Sequence, residues 1–342
     1  MRILVIRTSA MGDVAFTTPV IAGMRKQYPD NEIVILTRAL FKSFFSEDER
    51  LKLFFPDLKG RHKGLFGIFR LFADIQKLGK FDYVIDLHDV LRSQVLRLLF
   101  RLSGVPVSVI DKGRREKRNI ISGRNKRQLK HSAQRYSDAF TAAGFKFEAS
   151  VGPWIVPSPG AMKKANELIS PEITMNIGVA PCAKHKLKMW PEEYMEKLLG
   201  LISENRNVKI WLFGGKEDVV MLESLAGRVS NSYSIAGKLK LDEELALMNR
   251  LSFLIAMDSS NMHMAALVGT KVISIWGGTD PLTGFGAWNQ PDDFAVRIPV
   301  EELECRPCTV FGKGKCRRGD FACMVWLTPE KVYDRIVSLK IL

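Results

Sequence analysis

The sequence predicts an α/β chain of two domains, each a parallel sheet covered by helices. Three observations lead there. At 342 residues the chain is too long for one ordinary core and suits two cores of about 150–170 residues. Short β-branched runs alternate with stretches of helical apolar spacing, the pattern of βαβ units with right-handed crossovers. Near residues 152–171 the composition changes, with Pro153, Pro157, Pro159, Gly160 and Pro171 punctuating a polar stretch that reads as a linker. The expected boundaries are 1–155 for the first domain, 156–172 for the linker and 173–325 for the second domain. A C-terminal helix within 326–342 is expected to return and pack on the first domain.

In the first half, residues 2–7 form a strand and 14–28 a helix, with Asp13 or Thr17 and Thr18 as N-cap before Pro19. Residues 33–37 are the next strand, helical spacing covers 65–78, and 83–87 is a short β-branched run. A helix over 91–102, a strand over 105–110 and a helix over 131–144, ended by Gly144, complete this half. The linker holds a helix over 161–169. The second half gives a strand at 174–180, a helix at 191–205 opening on proline, and a strand at 208–213 running into Gly214-Gly215. A helix at 217–229, a strand at 233–236 and a helix at 242–251 follow. Residues 254–281, LIAMDSSNMHMAALVGTKVISIWGGTDP, then read as strand, polar turn, short helix, strand and Gly-Gly turn. The stretch 328–339 is an amphipathic helix. Loops at the carboxyl edges of two such sheets are expected to face each other across a ligand cleft.

Hydrophobic residues make up 46% of the chain, ordinary for a globular protein. No apolar run approaches the ~20 residues that span a bilayer. The opening residues enter a strand pattern at once, without a secretory signal, so the expectation is a cytoplasmic protein. Net charge is +14, which calls for a polyanionic partner. Lys112, Arg114, Arg115, Lys117, Arg118, Arg124, Lys126, Arg127 and Lys130 crowd one segment against only Asp111 and Glu116. Nucleic acid, an anionic membrane surface or an acidic lipid-linked saccharide would each answer that charge, and a solvated loop is the plain alternative. No aromatic residue occurs between 111 and 130, which argues against a single-strand binder.

The turn after the first strand, Thr8-Ser9-Ala10-Met11-Gly12-Asp13, lacks the G-x-G-x-x-G spacing of a dinucleotide site, so a dehydrogenase is disfavoured. Asp13 reads either as a helix cap or as a general base for a hydroxyl nucleophile. Asp258, Ser259, Ser260 and Asn261, with His263, sit where a strand gives way to a helix, a natural seat for an anion. Cys305, Cys308, Cys316 and Cys323 are spaced x2, x7 and x6. The first interval suits zinc and the last is longer than usual. A structural zinc, packed reduced thiols and oxidation in purified protein all stay open, while a reducing compartment disfavours stable disulfides.

Five segments, in order, resemble glycosyltransferase family 9, the heptosyltransferases. They are residues 2–19 (RILVIRTSAMGDVAFTTP), 131–144 (HSAQRYSDAFTAAG), Lys188-Met189-Trp190-Pro191, 258–263 (DSSNMH) and 276–281 (WGGTDP). The resemblance implies a GT-B fold, two Rossmann-like domains facing across a cleft, with acceptor on the first and nucleotide sugar on the second. It implies an inverting transfer of heptose from ADP-heptose to a lipopolysaccharide inner-core acceptor. Asp13 would be the catalytic base, with Ser9, Met11 and Gly12 near the acceptor. Lys188, Glu217, Leu239, Asp258, Ser259, Ser260 and His263 would bind the donor, Lys188 neutralising the departing diphosphate. Arg114, Arg115 and Arg118 would meet the acidic acceptor and hold the enzyme on the inner face of the cytoplasmic membrane, with no nucleic acid involved. No cofactor is required for catalysis, and the Asp-x-Asp motif of metal-dependent transferases does not occur. Ser259-Ser260 replaces the family's Thr-Gly, which puts a side chain where backbone would approach the ligand. Alternatives are a family-9 transferase with another nucleotide sugar and, from a different class, a basic nucleic-acid-binding module.

Overall fold

A computed structural model describes residues 1–169, 172–173, 175–204 and 207–342. Pro171, Thr174 and Asn205, used above as linker punctuation and element ends, lie outside the described residues. The chain divides into two compact units, Met1–Lys112 with Ser132–Val156, and Gly113–His131 with Pro157–Leu342.

The first unit begins with β1 (Arg2–Ile6), α1 (Met11–Ala15), α2 (Thr17–Gln27), β2 (Glu32–Leu36) and β3 (Leu51–Phe54). It continues with α3 (Gly64–Gln76), β4 (Tyr83–Asp86), α4 (Leu91–Leu102) and β5 (Val107–Val109). The next helix, α5 (Arg114–Ile121), belongs to the second unit, and α6 (Ser132–Ala142) returns to the first. The strands form one parallel sheet in the order β3-β2-β1-β4-β5. Ile3, Leu4, Val5 and Ile6 are all buried, as a parallel strand covered on both faces requires. The helix expected over 14–28 is broken at Phe16 into α1 and α2. Thr17 and Thr18 do not cap it, because their hydroxyls donate back to the carbonyls of Val14 and Ala15.

The second unit holds α7 (Pro159–Leu168), β6 (Met175–Ala180), α8 (Glu192–Ser203), β7 (Val208–Leu212), α9 (Val219–Arg228), β8 (Ser232–Ser234) and α10 (Leu241–Asn249). Then come β9 (Phe253–Met257), α11 (Ser260–Leu267), β10 (Val272–Trp276), β11 (Ala295–Arg297), α12 (Ala322–Val325) and α13 (Pro329–Ser338). Its parallel sheet runs β11-β10-β9-β6-β7-β8. The expected fold class, two Rossmann-like parallel-sheet domains, is the one observed.

Two placements differ from the sequence reading. Residues 113–131, expected in the first domain, cluster with the second unit. Leu129 N–H donates to the Leu282 carbonyl at 2.9 Å, and Gln128 Nε2 to that of Pro281 at 3.1 Å. Gly284, at φ +83°, leaves room for the Lys130 carbonyl where a Cβ would sit 2.5 Å from it. The C-terminal helix α13 belongs to the second unit and packs on α8 there, with Val332 and Ile336 buried in that unit's core. Its apolar stripe matches the second unit, and that is where it is buried.

Candidate active site

Each sheet has one position where consecutive strands diverge to opposite sides, and loops on either side of such a switch point leave a place for ligands. In the first unit it lies between β1 and β4. Thr8 and Ser9, just past β1, meet His88, just past β4: Thr8 Oγ1 is 3.2 Å from Nδ1 and Ser9 Oγ 3.1 Å from Nε2. Burial, reinforced by Arg7 and Lys112, lowers the His88 pKa to about 4, so the ring is neutral near pH 7. The Asp86 carboxylate below it accepts the N–H groups of His88 and Asp89 and pairs with Arg97 at 3.1 Å.

Asp13 stands in α1, at the start of the helix. Its Oδ2 accepts the Ala10 N–H at 3.3 Å and meets Arg7 Nη2 at 2.9 Å. The cap and an ion pair therefore share one oxygen. The Tyr136 hydroxyl from α6 lies 3.4 Å from Oδ1 and donates to the Asp13 carbonyl at 3.2 Å. Arg7 is nearly enclosed, and its guanidinium also donates to the Leu87 carbonyl at 2.5 Å. Burial opposes its charge, yet Tyr136, Asp13 and Asp86 together hold its pKa above the ordinary value. Burial likewise drives the Tyr136 pKa upward, so the phenol stays protonated. Of the expected neighbours, Gly12 is buried, and Ser9 and Met11 are half-buried on the same turn.

The switch point of the second sheet lies between β6 and β9. Here Lys188, in the loop after β6, meets Asp258, at the end of β9, with Nζ 2.8 Å from Oδ2. The lysine is not the surface residue its type suggests, since its side chain is only 16% exposed. Trp190 pins this loop: its indole N–H reaches the carbonyls of Leu327 at 2.9 Å and Met324 at 3.2 Å. Ser259 is the N-cap residue of α11, but its side chain makes no capping bond. Its Oγ is buried with no hydrogen-bond partner among the described residues. An uncapped helix start leaves N–H groups for a ligand. Ser260 is half-buried beside it. His263, one turn on, is enclosed, and burial together with His131 and Lys188 keeps its pKa well below the usual value. Glu217 and Leu239 lie past the ends of β7 and β8, Glu217 exposed and Leu239 half-buried. All the expected donor residues thus lie on the carboxyl-edge loops or first helical turns of one sheet.

Residues past β10 are braced by a group the sequence reading did not single out. Arg306, 1% exposed, pairs with fully buried Asp280 at 3.1 Å and donates to the carbonyls of Gly277 (2.7 Å), Thr279 (3.1 Å) and Ile298. Gly278 N–H then donates to Leu187 O at 2.9 Å, and Gly278 O accepts Cys308 N–H at 3.0 Å. A Cβ at Gly278 would lie 3.1 Å from the Leu187 carbonyl. A continuous path of contacts therefore joins the cysteine segment to the residue next to Lys188. Burial raises the Cys308 thiol and lifts Cys323 to about 11, with neighbouring thiols adding to the burial in both cases. Among the described residues, no three His, Cys, Asp or Glu side chains converge to hold a metal ion.

The basic segment is ordered against this unit. Lys117 Nζ lies 4.2 Å from the Phe285 ring centre, Lys126 donates to the Glu304 carbonyl, and His131 Nε2–H donates to Gly286 O at 2.9 Å. Arg114, Arg115 and Arg118 are exposed on α5, in the second unit and not the first.

Arg7, His88, Tyr136, Asp280 and Arg306 were not singled out from sequence. Two signals were present: Tyr136 falls inside the 131–144 motif, and Asp280 inside 276–281.

Comparison with known proteins gives the same result as the fold. The model of glycosyltransferase family 9 (heptosyltransferase) matches residues 68–311. Lipopolysaccharide heptosyltransferase 3 of Escherichia coli is 24% identical over 280 residues, 79% of this chain and 81% of that protein. A family 9 glycosyltransferase from Veillonella parvula superposes with a TM-score of 0.79 at 21% identity, covering 99% of this chain and 96% of the other. E. coli heptosyltransferase WaaC, solved with ADP-2-deoxy-2-fluoro heptose, gives 0.68 at 18% identity, over 99% and 100% of the two chains. With its matched region covering most of the sequence, the chain belongs to glycosyltransferase family 9 and is a glycosyltransferase of the GT-B fold.

Proposed function

We propose that this enzyme transfers heptose from ADP-heptose to an inner-core acceptor of lipopolysaccharide, with inversion. The observation that carries the donor reading is the second unit's switch point. A mostly buried lysine, an uncapped helix start and an unpartnered Ser259 hydroxyl lie together there, a combination suited to a diphosphate. The relatives are named for heptosyl transfer to lipopolysaccharide, and WaaC was solved with an ADP-heptose analogue, which supports ADP-heptose over other nucleotide sugars.

In this reading Asp13 takes the proton of the acceptor hydroxyl, and that oxygen attacks the anomeric carbon. The bond from that carbon to the β-phosphate oxygen breaks, and ADP leaves with both bonding electrons. Lys188 meets the growing phosphate charge, Asp258 holds the ammonium in place, and α11 presents its first N–H groups. Arg7 fixes one oxygen of Asp13 and Tyr136 keeps the carboxylate's orientation. Ser9, Met11 and Gly12 border the acceptor. Arg114, Arg115 and Arg118 answer the phosphates and acidic sugars of a lipid-linked acceptor at the inner membrane face.

Asp13→Asn is expected to lower transfer by at least ~10²-fold, the usual worth of a positioned base, while calorimetry shows ADP binding unchanged. Near-wild-type transfer by this variant would remove Asp13 as base. Tight UDP or GDP binding in place of ADP would redirect the donor assignment.

A further inference from the structure

The outer side of the α3–α4 layer has no role in the chemistry above. Both helices press one side onto the same core: Ile68, Leu71 and Ile75 from α3, Leu96 and Phe100 from α4. They also touch each other through the Phe72 and Phe100 rings, centred 5.0 Å apart. Their opposite sides are apolar as well. On α3, Leu65, Phe66 and Phe69 stand out, Phe66 at 82% exposure; on α4, Leu91, Leu98 and Leu102 do, two of them at 77%. Positions 65, 66 and 69 share one stripe of α3, and 91, 98 and 102 share one stripe of α4. Large apolar side chains gathered this way on a soluble surface mark an interaction site.

The charge around the patch indicates what covers it. Lys63, Arg70, Arg92 and Arg101 lie on or beside these two helices, and none has a carboxylate within ion-pair distance among the described residues. The single acidic residue of α3, Asp74, is already held by Arg61, His62 and Lys77, and α4 has no acidic residue. Phenylalanine and leucine projecting from a layer fringed by arginine and lysine suit the boundary between acyl chains and anionic headgroups. A second copy is a poor occupant, since a twofold contact would set Arg70, Arg92 and Arg101 against their own counterparts.

We infer that the α3–α4 face docks this enzyme on an anionic phospholipid bilayer, inserting Phe66 and Phe69 while the four cations meet lipid phosphates. The biological sense of this surface rests on the lipid-linked acceptor of the proposed function; its physical argument does not. It is distinct from the basic residues of α5.

The test is co-sedimentation of the full chain with phosphatidylcholine vesicles, with and without phosphatidylglycerol, beside calorimetric ADP binding. The wild type is expected to bind only the anionic vesicles, less tightly as salt rises. Phe66→Ser with Phe69→Ser should weaken that binding at least about tenfold. Both side chains are exposed, so melting and ADP binding should not change. Arg70→Gln with Arg101→Gln should weaken it too, whereas Arg114→Gln, Arg115→Gln and Arg118→Gln together should leave most of it. Absence of wild-type binding overturns the inference, as does loss confined to the α5 variant. A dimer dissolved by the phenylalanine variant would overturn it in favour of a second copy. ADP binding without vesicle binding would sink this inference and leave the transferase reading standing; the converse result would do the opposite.

Discussion

His88, His131 and His263 are three of the chain's five histidines, and each is kept neutral by its surroundings. Burial is the main cause at all three; it takes His88 and His131 to about 4, with His263 also well below the usual value. In the unfolded chain a histidine titrates near pH 6.5. Between that pH and about 4 the unfolded chain binds protons that the folded chain refuses, so stability is complete above the unfolded pKa and falls as pH drops. Each such histidine adds a slope of up to ~1.4 kcal/mol per pH unit. Urea midpoints should fall steeply from neutral pH toward pH 4, and His131→Gln, which keeps a donor for Gly286 O, should flatten the curve. Midpoints independent of pH would contradict the assignment. At this scale the sequence made Asp13, Lys188 and Asp258 legible through the order of their motifs. Their partners were hidden for different reasons. Tyr136 reaches Asp13 across 123 residues of chain, and Arg7 reads as the last residue of a strand.

Among the elements, the turn between β10 and β11 depends most on one side chain. Arg306 satisfies backbone carbonyls there that no strand or helix answers, and it neutralises Asp280 in a closed environment. Arg306→Met is expected to lower stability by about 3 kcal/mol, the usual cost of leaving one partner of a buried pair. Arg306→Lys should recover only part, since an ammonium cannot spread its donors over several carbonyls as a guanidinium does. Urea unfolding measures both, and equal stability of wild type and Arg306→Met would refute the bracing role. Most helices and strands were readable from apolar periodicity, and α4 falls on the residues expected. β3 was missed because Leu51–Phe54 is short and follows a run of charge. α5 was missed because its eight residues present five charges and two adjacent isoleucines, too little apolar spacing to show a helix. Its grip comes from buried Ile120 and from Lys117 lying on Phe285, contacts that depend on the tertiary fold.

Over the whole molecule, the backbone passes between the two units three times, after Lys112, His131 and Val156. Composition pointed to the last of these passages. The first two were invisible, because nothing local distinguishes a basic loop in solution from one bonded to a turn more than 150 residues away. The 131–144 motif straddles such a passage: His131 holds Gly286 in the second unit, and Tyr136 holds Asp13 in the first. Residues 157–342 produced alone are therefore expected to be soluble poorly or not at all, since the 281–286 turn loses its backbone partners. Supplying 113–131 fused ahead of them should restore a cooperative melt, and an equally cooperative melt without that segment would argue against its structural part. For anyone recombining relatives of this family, a crossover at residue 156 would look natural and would be a poor choice. The resulting chimera would inherit the 113–131 strap from one parent and the turn that it fastens from the other. Keeping the second unit intact here means moving two separate stretches of gene together, so that it travels with a short piece of sequence embedded in its neighbour.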